Sequence, residues 1–255
     1  MLATRIMPCL LVKDKRLVKT VKFKNPSYVG DPVNAIKIYN EKEVDELLLI
    51  DITATLENKP PSFGLISEIT DECFMPLCYG GGIRSLDDIK KILSLGVEKV
   101  AINSYAVENP QFIKKASEIF GSQSIILSMD VKKTFLGSYV IHSHSGQKST
   151  KLDPIVFARQ MEAMGTGEIL LNSIDRDGTW EGYDLDLIKK VTDAVTIPVI
   201  ALGGAGQVIH FHDAVANGAS ACAIGSMAVY QGKNKGVLIN FPLHEEIQKV
   251  LGNKK

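Results

Sequence analysis

Residues 75–107 read MPLCYGGGIRSLDDIKKILSLGVEKVAINSYAV, and residues 197–229 read IPVIALGGAGQVIHFHDAVANGASACAIGSMAV. The two stretches align without a gap at an offset of 122, pairing Gly81 with Gly203, Gly96 with Gly218 and Ser104 with Ser226. Each reads as a strand, a glycine turn, an amphipathic helix, a glycine stop, a second strand and a small polar turn. The apolar period switches between 2 and 3.6 at the glycines, which is the pattern of a βαβ unit.

The repeat extends outward. Glu46-Leu-Leu-Leu-Ile-Asp51 matches Glu168-Ile-Leu-Leu-Asn-Ser173 at the same offset, and Cys9–Lys13 matches Ser128–Lys132 at 119. Apolar segments near 5–12, 46–52, 76–80, 98–103, 124–130, 168–173, 197–202 and 221–225 predict eight strands. Helical patterns at Pro32–Val44, Ser62–Cys73, Ser85–Leu95, Pro110–Phe120, Asp153–Met164, Asp184–Val195 and Gln207–Asn217 alternate with them, with Asp31 as an N-cap. A doubly wound parallel sheet alternates in the same way. Two matching four-strand halves favour instead an α/β fold of the (β/α)8 TIM-barrel type, one domain over residues 1–255.

Bulk properties narrow the function classes. At 45% hydrophobic the chain can bury a large core, and its 29 basic and 29 acidic residues give no net charge to attract nucleic acid or an anionic membrane. Arg5, Lys13, Lys15 and Arg16 interrupt the first apolar run, so no signal peptide is expected. No apolar run approaches a membrane span. Cys9, Cys73, Cys78 and Cys222 contain no C-x-x-C pair, and they predict free thiols in a cytoplasmic protein.

In a parallel barrel the chemistry gathers at the strand C-terminal ends. Gly81 and Gly82 lie between a strand end and a helix start, as do Gly203 and Gly204. Asn103-Ser104 and Gly225-Ser226 end the next strand of each half. Glycine there lets backbone N–H groups approach an anion, so the two turns predict paired phosphate cradles for an elongated ligand phosphorylated at both ends. Asp130 ends the fifth strand and is the candidate proton-transfer group. The repeat puts Leu11 at the matching place on the first strand, where no proton can be donated or accepted. Asp14, three residues on, should face away. Lys19, Asp51, Asn172, Asp177 and Gly178 complete the candidate mouth residues.

Asp175-Arg-Asp-Gly178 resembles the start of a calcium loop but lacks its spacing and terminal Glu. His142 and His144 are placed on one strand face with no third ligand in view, and no metal site is expected. Two long interruptions, 13–30 and 132–151, follow the first and fifth strands; the second contains a predicted hairpin at 137–147. At the opposite end, Arg5, Glu46, Lys99 and Glu168 begin the first, second, fourth and sixth strands. Two charges of each sign are expected either to face solvent or to pair into a ring that gates a small polar molecule.

Several motifs together make the chain resemble the cyclase subunit of imidazole glycerol phosphate synthase, the HisF family. They are R-I-M-P-C-L at 5–10, V-K-D at 12–14, Gly30-Asp31-Pro32 and D-E-L-L-L-I-D-I-T-A at 45–54. Further on come G-G-G-I at 80–83, A-V-E-N-P at 106–110, G-E-I-L-L-N-S-I-D-R-D-G-T at 167–179 and G-G-A-G at 203–206. The resemblance implies a HisH-like glutaminase partner docked on the barrel floor, ammonia passing up the barrel, and no cofactor. It implies an ammonia gate at Arg5, Glu46, Lys99 and Glu168, phosphate sites at the two cradles, and substrate contacts at Lys19, Asp51, Asn103 and Asp177. The family's two catalytic aspartates fall on Leu11 and Asp130, so only the second is present. Lys15 and Thr20 stand where the family has glycines in its first loop.

The pattern C-L-L-V-K-D…L-V-K-T-V-K-F is similar to a subset of second copies associated with bacterial surface-polysaccharide genes. That subset implies ammonia transfer to a separate amidotransferase acting on a nucleotide-activated sugar. The alternatives are a working cyclase, making imidazole glycerol phosphate and aminoimidazole carboxamide ribotide, and a scaffold barrel that only activates a glutaminase.

Overall fold

The structure is a computed structural model that describes residues 4–232 and 234–252. Eight parallel strands close into a barrel: β1 (Arg5–Lys13), β4 (Leu47–Asp51), β5 (Leu77–Gly80), β6 (Lys99–Ile102), β7 (Ile125–Lys133), β10 (Glu168–Ser173), β11 (Val199–Leu202) and β12 (Ala221–Ile224). Pairing of β7 with β10 completes the circuit. The eight strands coincide with the eight apolar segments of the sequence.

Outer helices follow the strands: α1 (Pro32–Glu41), α2 (Phe63–Thr70), α3 (Leu86–Ser94), α5 (Pro110–Phe120), α6 (Pro154–Ala163), α7 (Leu185–Thr192) and α8 (Ile209–Ala216). Their starts are fixed locally. Asp31 accepts from Asn34 N at 2.9 Å ahead of Pro32, and Asp153 accepts from Ile155 N and Val156 N ahead of Pro154. Ser85 and Asp88 form a reciprocal capping box at α3. Ser62 makes no such cap, so α2 is held by Leu65, Ile66 and Ile69, all buried against the barrel.

The duplication is visible in three dimensions. Gly96 and Gly218 both have φ of +100°, and both face a threonine, Thr70 and Thr192, again 122 residues apart; a Cβ would lie 3.6 Å from the first and 2.5 Å from the second. A Cβ on Gly81 would lie 2.5 Å from Asp51 O, and one on Gly203 2.7 Å from Ser173 O, again a pair related by 122. These glycines are required by the backbone of the neighbouring strand's loop, a constraint independent of any anion.

Side chains divide between two cores. Outward residues of the strands pack under the helices, with Ile6, Leu10, Leu47, Leu49, Ile169 and Leu171 at most 1% exposed. Inward residues form a separate cluster that fills the lumen: Met7, Cys9, Leu48, Cys78, Ile126, Leu170 and Ile200, with Ala101, Ala221 and Ala223. Burying each of the larger apolar side chains contributes about 1.5–3 kcal/mol.

Three features differ from the sequence reading. Residues 13–30 form an antiparallel hairpin, β2 (Arg16–Val21) and β3 (Lys24–Gly30), with β2 paired to the end of β1. The hairpin placed at 137–147 is larger, because β7 runs three residues past Asp130 and pairs with β8 (Tyr139–Ser143), which pairs with β9 (Lys148–Ser149). The polar turns after β6 and β12 wind into short helices α4 (Ser104–Glu108) and α9 (Ser226–Val229). A small ribbon, β13 (Tyr230–Gln231) with β14 (Gly236–Val237), and a last helix α10 (His244–Leu251) complete the described elements. Among the described residues no helix is long and apolar enough to cross a membrane.

Candidate functional site

The two ends of the lumen carry different chemistry. At the floor, Arg5 reaches Glu46 at 2.5 Å and Glu168 at 2.8 Å, while Lys99 reaches Glu46 at 3.1 Å and Glu168 at 2.9 Å. The four charges therefore close a ring, rather than turning individually to solvent. Arg5, Lys99 and Glu168 begin their strands and Glu46 immediately precedes β4, which puts all four at the floor of the tube. Burial works against the Arg5 and Lys99 charges, but the two carboxylates outweigh it and hold both pKa values above their ordinary ones. Burial likewise opposes the Glu168 charge, and Arg5 with Lys99 reverses the balance and lowers its pKa.

Above the ring the lumen is apolar. Along β1, Arg5, Met7, Cys9 and Leu11 succeed each other on the inward face, from the ring through the lumen cluster to the mouth. That span is roughly 16 Å along the axis, from 3.3 Å per residue and a strand tilt of about 36°. Burial pushes the Cys9 thiol up to about 12, so it is neutral at any ordinary pH.

At the mouth lies a cavity of about 130 Å³. Leu11, Lys19, Asp51, Gly81, Gly82, Asn103, Ser104, Asp130, Asn172, Asp177 and Gly225 all line it, so most of the residues picked from the sequence converge there. Asp130 is at its centre of polarity. Asn103 Nδ2 donates to Asp130 Oδ2 at 3.1 Å, and Asn172 Nδ2 donates to Oδ1 at 3.2 Å. Burial lifts the Asp130 carboxyl to about 7; the Asn172 hydrogen bond pulls the other way, and the negative charge of Asp177 adds to the rise. A carboxyl with that pKa exchanges its proton at neutral pH. Leu11 lines the same cavity, while Asp14 is exposed in the β1–β2 turn with φ of +50°.

Most of the second cradle lies outside the cavity lining. Gly178, Gly203, Gly204 and Ser226 are buried outside the cavity walls. Gly203 packs on Ser173 and Gly204 on Gly182, while the β2–β3 hairpin folds onto Asp177 beside Gly178 and Gly225. Lys19 Nζ donates to Asp177 Oδ1 at 2.6 Å, Thr20 Oγ1 donates to Oδ2 at 3.0 Å, and Lys22 N donates to the Asp177 carbonyl at 2.9 Å. A Cβ on Gly178 would strike Thr20 O at 2.7 Å, and one on Gly225 would sit 3.1 Å from Lys19 Cε. The Lys19 stem thus lies on the β12 side beside Gly225, the one residue of the second cradle that lines the cavity, whereas Gly81, Gly82 and Ser104 all line it.

Other local assignments also shift. Asp51 Oδ1 accepts from Thr53 N, Thr53 Oγ1 and Ala54 N, so one of its oxygens is committed to ordering its own loop. Ser104 Oγ accepts from His144 N at 2.9 Å and Ser145 Oγ donates to Ile52 O at 2.6 Å, pinning the β8–β9 turn beside the first cradle. His142 is on β8 and His144 in the turn with φ of +54°, so they share no strand face. Sequence reading missed Thr20 and Phe23 as cavity residues. The β-branched residues Val18, Thr20 and Val21 in R-L-V-K-T-V at 16–21 were the available sign of a strand there.

The comparisons with known proteins agree with this architecture. The family described as "Histidine biosynthesis protein" matches residues 5–235. A Pseudomonas aeruginosa protein named "Putative imidazole glycerol phosphate synthase subunit hisF2" is 50% identical over 243 residues, 95% of this chain and 97% of the relative. A Vibrio vulnificus protein with the same wording and the suffix hisF3 is 47% identical over 256 residues, 98% and 97% of the two chains. The Endomicrobium trichonymphae "Imidazole glycerol phosphate synthase subunit HisF" is 45% identical over 231 residues, 91% and 89%. The chain belongs to the HisF family of histidine-biosynthesis barrels.

Proposed function

We propose that this single barrel domain is the ammonia-delivering subunit of a glutamine-dependent amidation complex in the cytoplasm. A glutaminase subunit docks beneath the Arg5–Glu46–Lys99–Glu168 ring, and its ammonia rises through the lumen to the mouth. A separate amidotransferase takes the nitrogen there for a nucleotide-activated sugar of surface-polysaccharide synthesis. The apolar lumen suits neutral ammonia, because an ammonium ion would have to shed its hydration among Met7, Leu48, Ile126 and Ile200.

The observation that carries the reading is Leu11. It lines the cavity that holds Asp130, at the position where the repeat calls for a second proton-handling side chain. A cyclisation that needs a paired acid and base has one of them missing, while the charged inlet is complete. The names of relatives as second and third HisF copies support a role apart from a primary cyclase.

A working cyclase is the second reading, and Asp130 favours it: a carboxyl with a pKa of about 7, clamped by two amides, is poised for acid–base work. Steady-state turnover of the bis-phosphorylated ribulosyl precursor with an ammonium salt decides between them. The delivery reading expects negligible turnover, rising by ~10²–10⁴ in Leu11→Asp if a general acid is all that is absent. Wild-type turnover within a few-fold of a relative with both aspartates overturns it. A pure scaffold role is excluded if Arg5→Ala changes nitrogen transfer while glutaminase binding is unchanged.

A further inference from the structure

We infer that the outer face of the β2–β3 hairpin, with the β13–β14 ribbon beside it, is the docking surface for the nitrogen-accepting enzyme, and that this partner presents an acidic surface around apolar pockets. The inference rests on the delivery reading above and adds to it the place and chemistry of the acceptor's contact.

The chain as a whole is neutral, yet the hairpin is not. Lys15, Arg16, Lys22 and Lys24 are exposed there against Asp14 alone, so positive charge is concentrated over the mouth. Apolar side chains stand among the cations: Val21 is 47% exposed and Tyr28 62%. Ser27 Oγ meets Tyr230 OH at 2.8 Å, which joins the hairpin to the ribbon, where Val237 and Leu238 are 54% and 44% exposed. A free polyanion would match the lysines but leave this apolar surface wet. An apolar partner would leave four cations unmatched. A protein surface with acidic groups around apolar pockets satisfies both, and an exposed tyrosine is a residue type that anchors such interfaces.

The surface is preorganised. Lys19, Thr20 and Lys22 fasten the hairpin to Asp177, and Phe23 packs where a Cβ on Gly146 would lie 2.8 Å from its ring. Docking therefore orders little that is not already ordered. Among the described residues β3 pairs only with β2, but Pro26 and Lys24 on it disfavour strand addition, so recognition runs through side chains. The hairpin also roofs the cavity, so an enzyme seated on it meets ammonia where it leaves the barrel.

The test uses the complex with its glutaminase in the native cell, carrying a photoreactive residue as Tyr28→benzoylphenylalanine or, on the barrel flank, as Ile119→benzoylphenylalanine. The protein captured is purified, assayed for amidation of a nucleotide-activated sugar, and its affinity for the complex measured at low and physiological salt. The expected result is capture from position 28 of an enzyme with that activity. Arg16→Glu with Lys24→Glu, both exposed, should weaken its binding at least ~10-fold and flatten the salt dependence, with glutaminase activation unchanged. Capture only from position 119, capture at 28 of nucleic acid or a second copy of this chain, or binding within about two-fold in the charge-reversed variant overturns the inference. Failure of the delivery reading is separate: an enzyme that binds as described but aminates equally well with Arg5→Ala leaves the surface intact and removes the channel.

Discussion

Lys19 Nζ lies 2.6 Å from Asp177 Oδ1, with side-chain exposures of 4% and 10%, and this pair joins the first loop of the barrel to the sixth. Thr20 adds a second bond to the same carboxylate. Removing one partner of such a pair leaves a buried charge, at a cost of about 3–5 kcal/mol if nothing moves. Here something can move, because Lys19 sits on a hairpin that can lift into solvent. Asp177→Ala should therefore open the hairpin without unfolding the barrel. Tryptic cleavage within residues 15–24 should accelerate at least ~10-fold, while Tm falls by only a few degrees. Thr20→Val, which loses about 1 kcal/mol of hydrogen bond, should give a smaller acceleration. Unchanged cleavage in both variants would show that Asp177 does not hold the hairpin.

Asp130 makes stability depend on pH in an unusual direction. Its carboxyl is raised to about 7 in the folded chain and has an ordinary low pKa when unfolded, so the folded state binds the extra proton. Stability from this group is complete at acid pH and is lost as pH rises through about 7, by on the order of 4 kcal/mol. Asp130→Asn should raise Tm at pH 8 and have little effect near pH 4, as read by thermal melts. One of the two clamping asparagine amides must flip to accommodate the new side chain, which trims the gain by ~1 kcal/mol. A Tm difference that does not change with pH would contradict the raised pKa.

The floor ring gives the opposite sign. Glu168 has a lowered pKa in the folded chain, so its contribution is present above the unfolded value and disappears as pH falls through the folded one. Glu168→Gln should cost about 1–3 kcal/mol near neutrality, less than a fully buried pair because Arg5 keeps a 29% exposed side chain. The gap between variant and wild type should close as pH falls below about 4.5. Urea titrations at several pH values measure this, and a gap that widens in acid would rule out the ring's stabilising role.

Two glycines separate packing from backbone strain. Gly204 has φ of +110°, and a Cβ there would lie 2.1 Å from Gly182 O; Gly137 has φ of +88° with nothing within 4 Å. Gly204→Ala should cost more than ~3 kcal/mol, because one backbone must move from another. Gly137→Ala should cost only the ~1 kcal/mol of the left-handed conformation. Equal costs in urea unfolding would mean that the close approach at Gly204 relaxes freely.

The amino-acid order alone determined the barrel, and the reason is local. Period-2 runs, period-3.6 runs and stop glycines need no distant partner to be read, and neither do the caps at Asp31, Ser85 and Asp153, whose bonds span three residues or fewer. The 122-residue repeat then supplied the one long-range fact, that two halves must meet. It also located the ring and Asp130, because strand starts and ends map to the floor and mouth of any parallel barrel.

Tertiary structure alone decided which of these groups engage one another. Lys19 finds Asp177 across 158 residues, Arg5 finds Glu168 across 163, and Ser104 Oγ accepts from a backbone N–H 40 residues away. Those choices laid a lysine-rich loop across the mouth and closed a charged ring at the floor. Charge pairing of this kind depends on distances and desolvation in the closed barrel, and neither quantity exists until the strands have met.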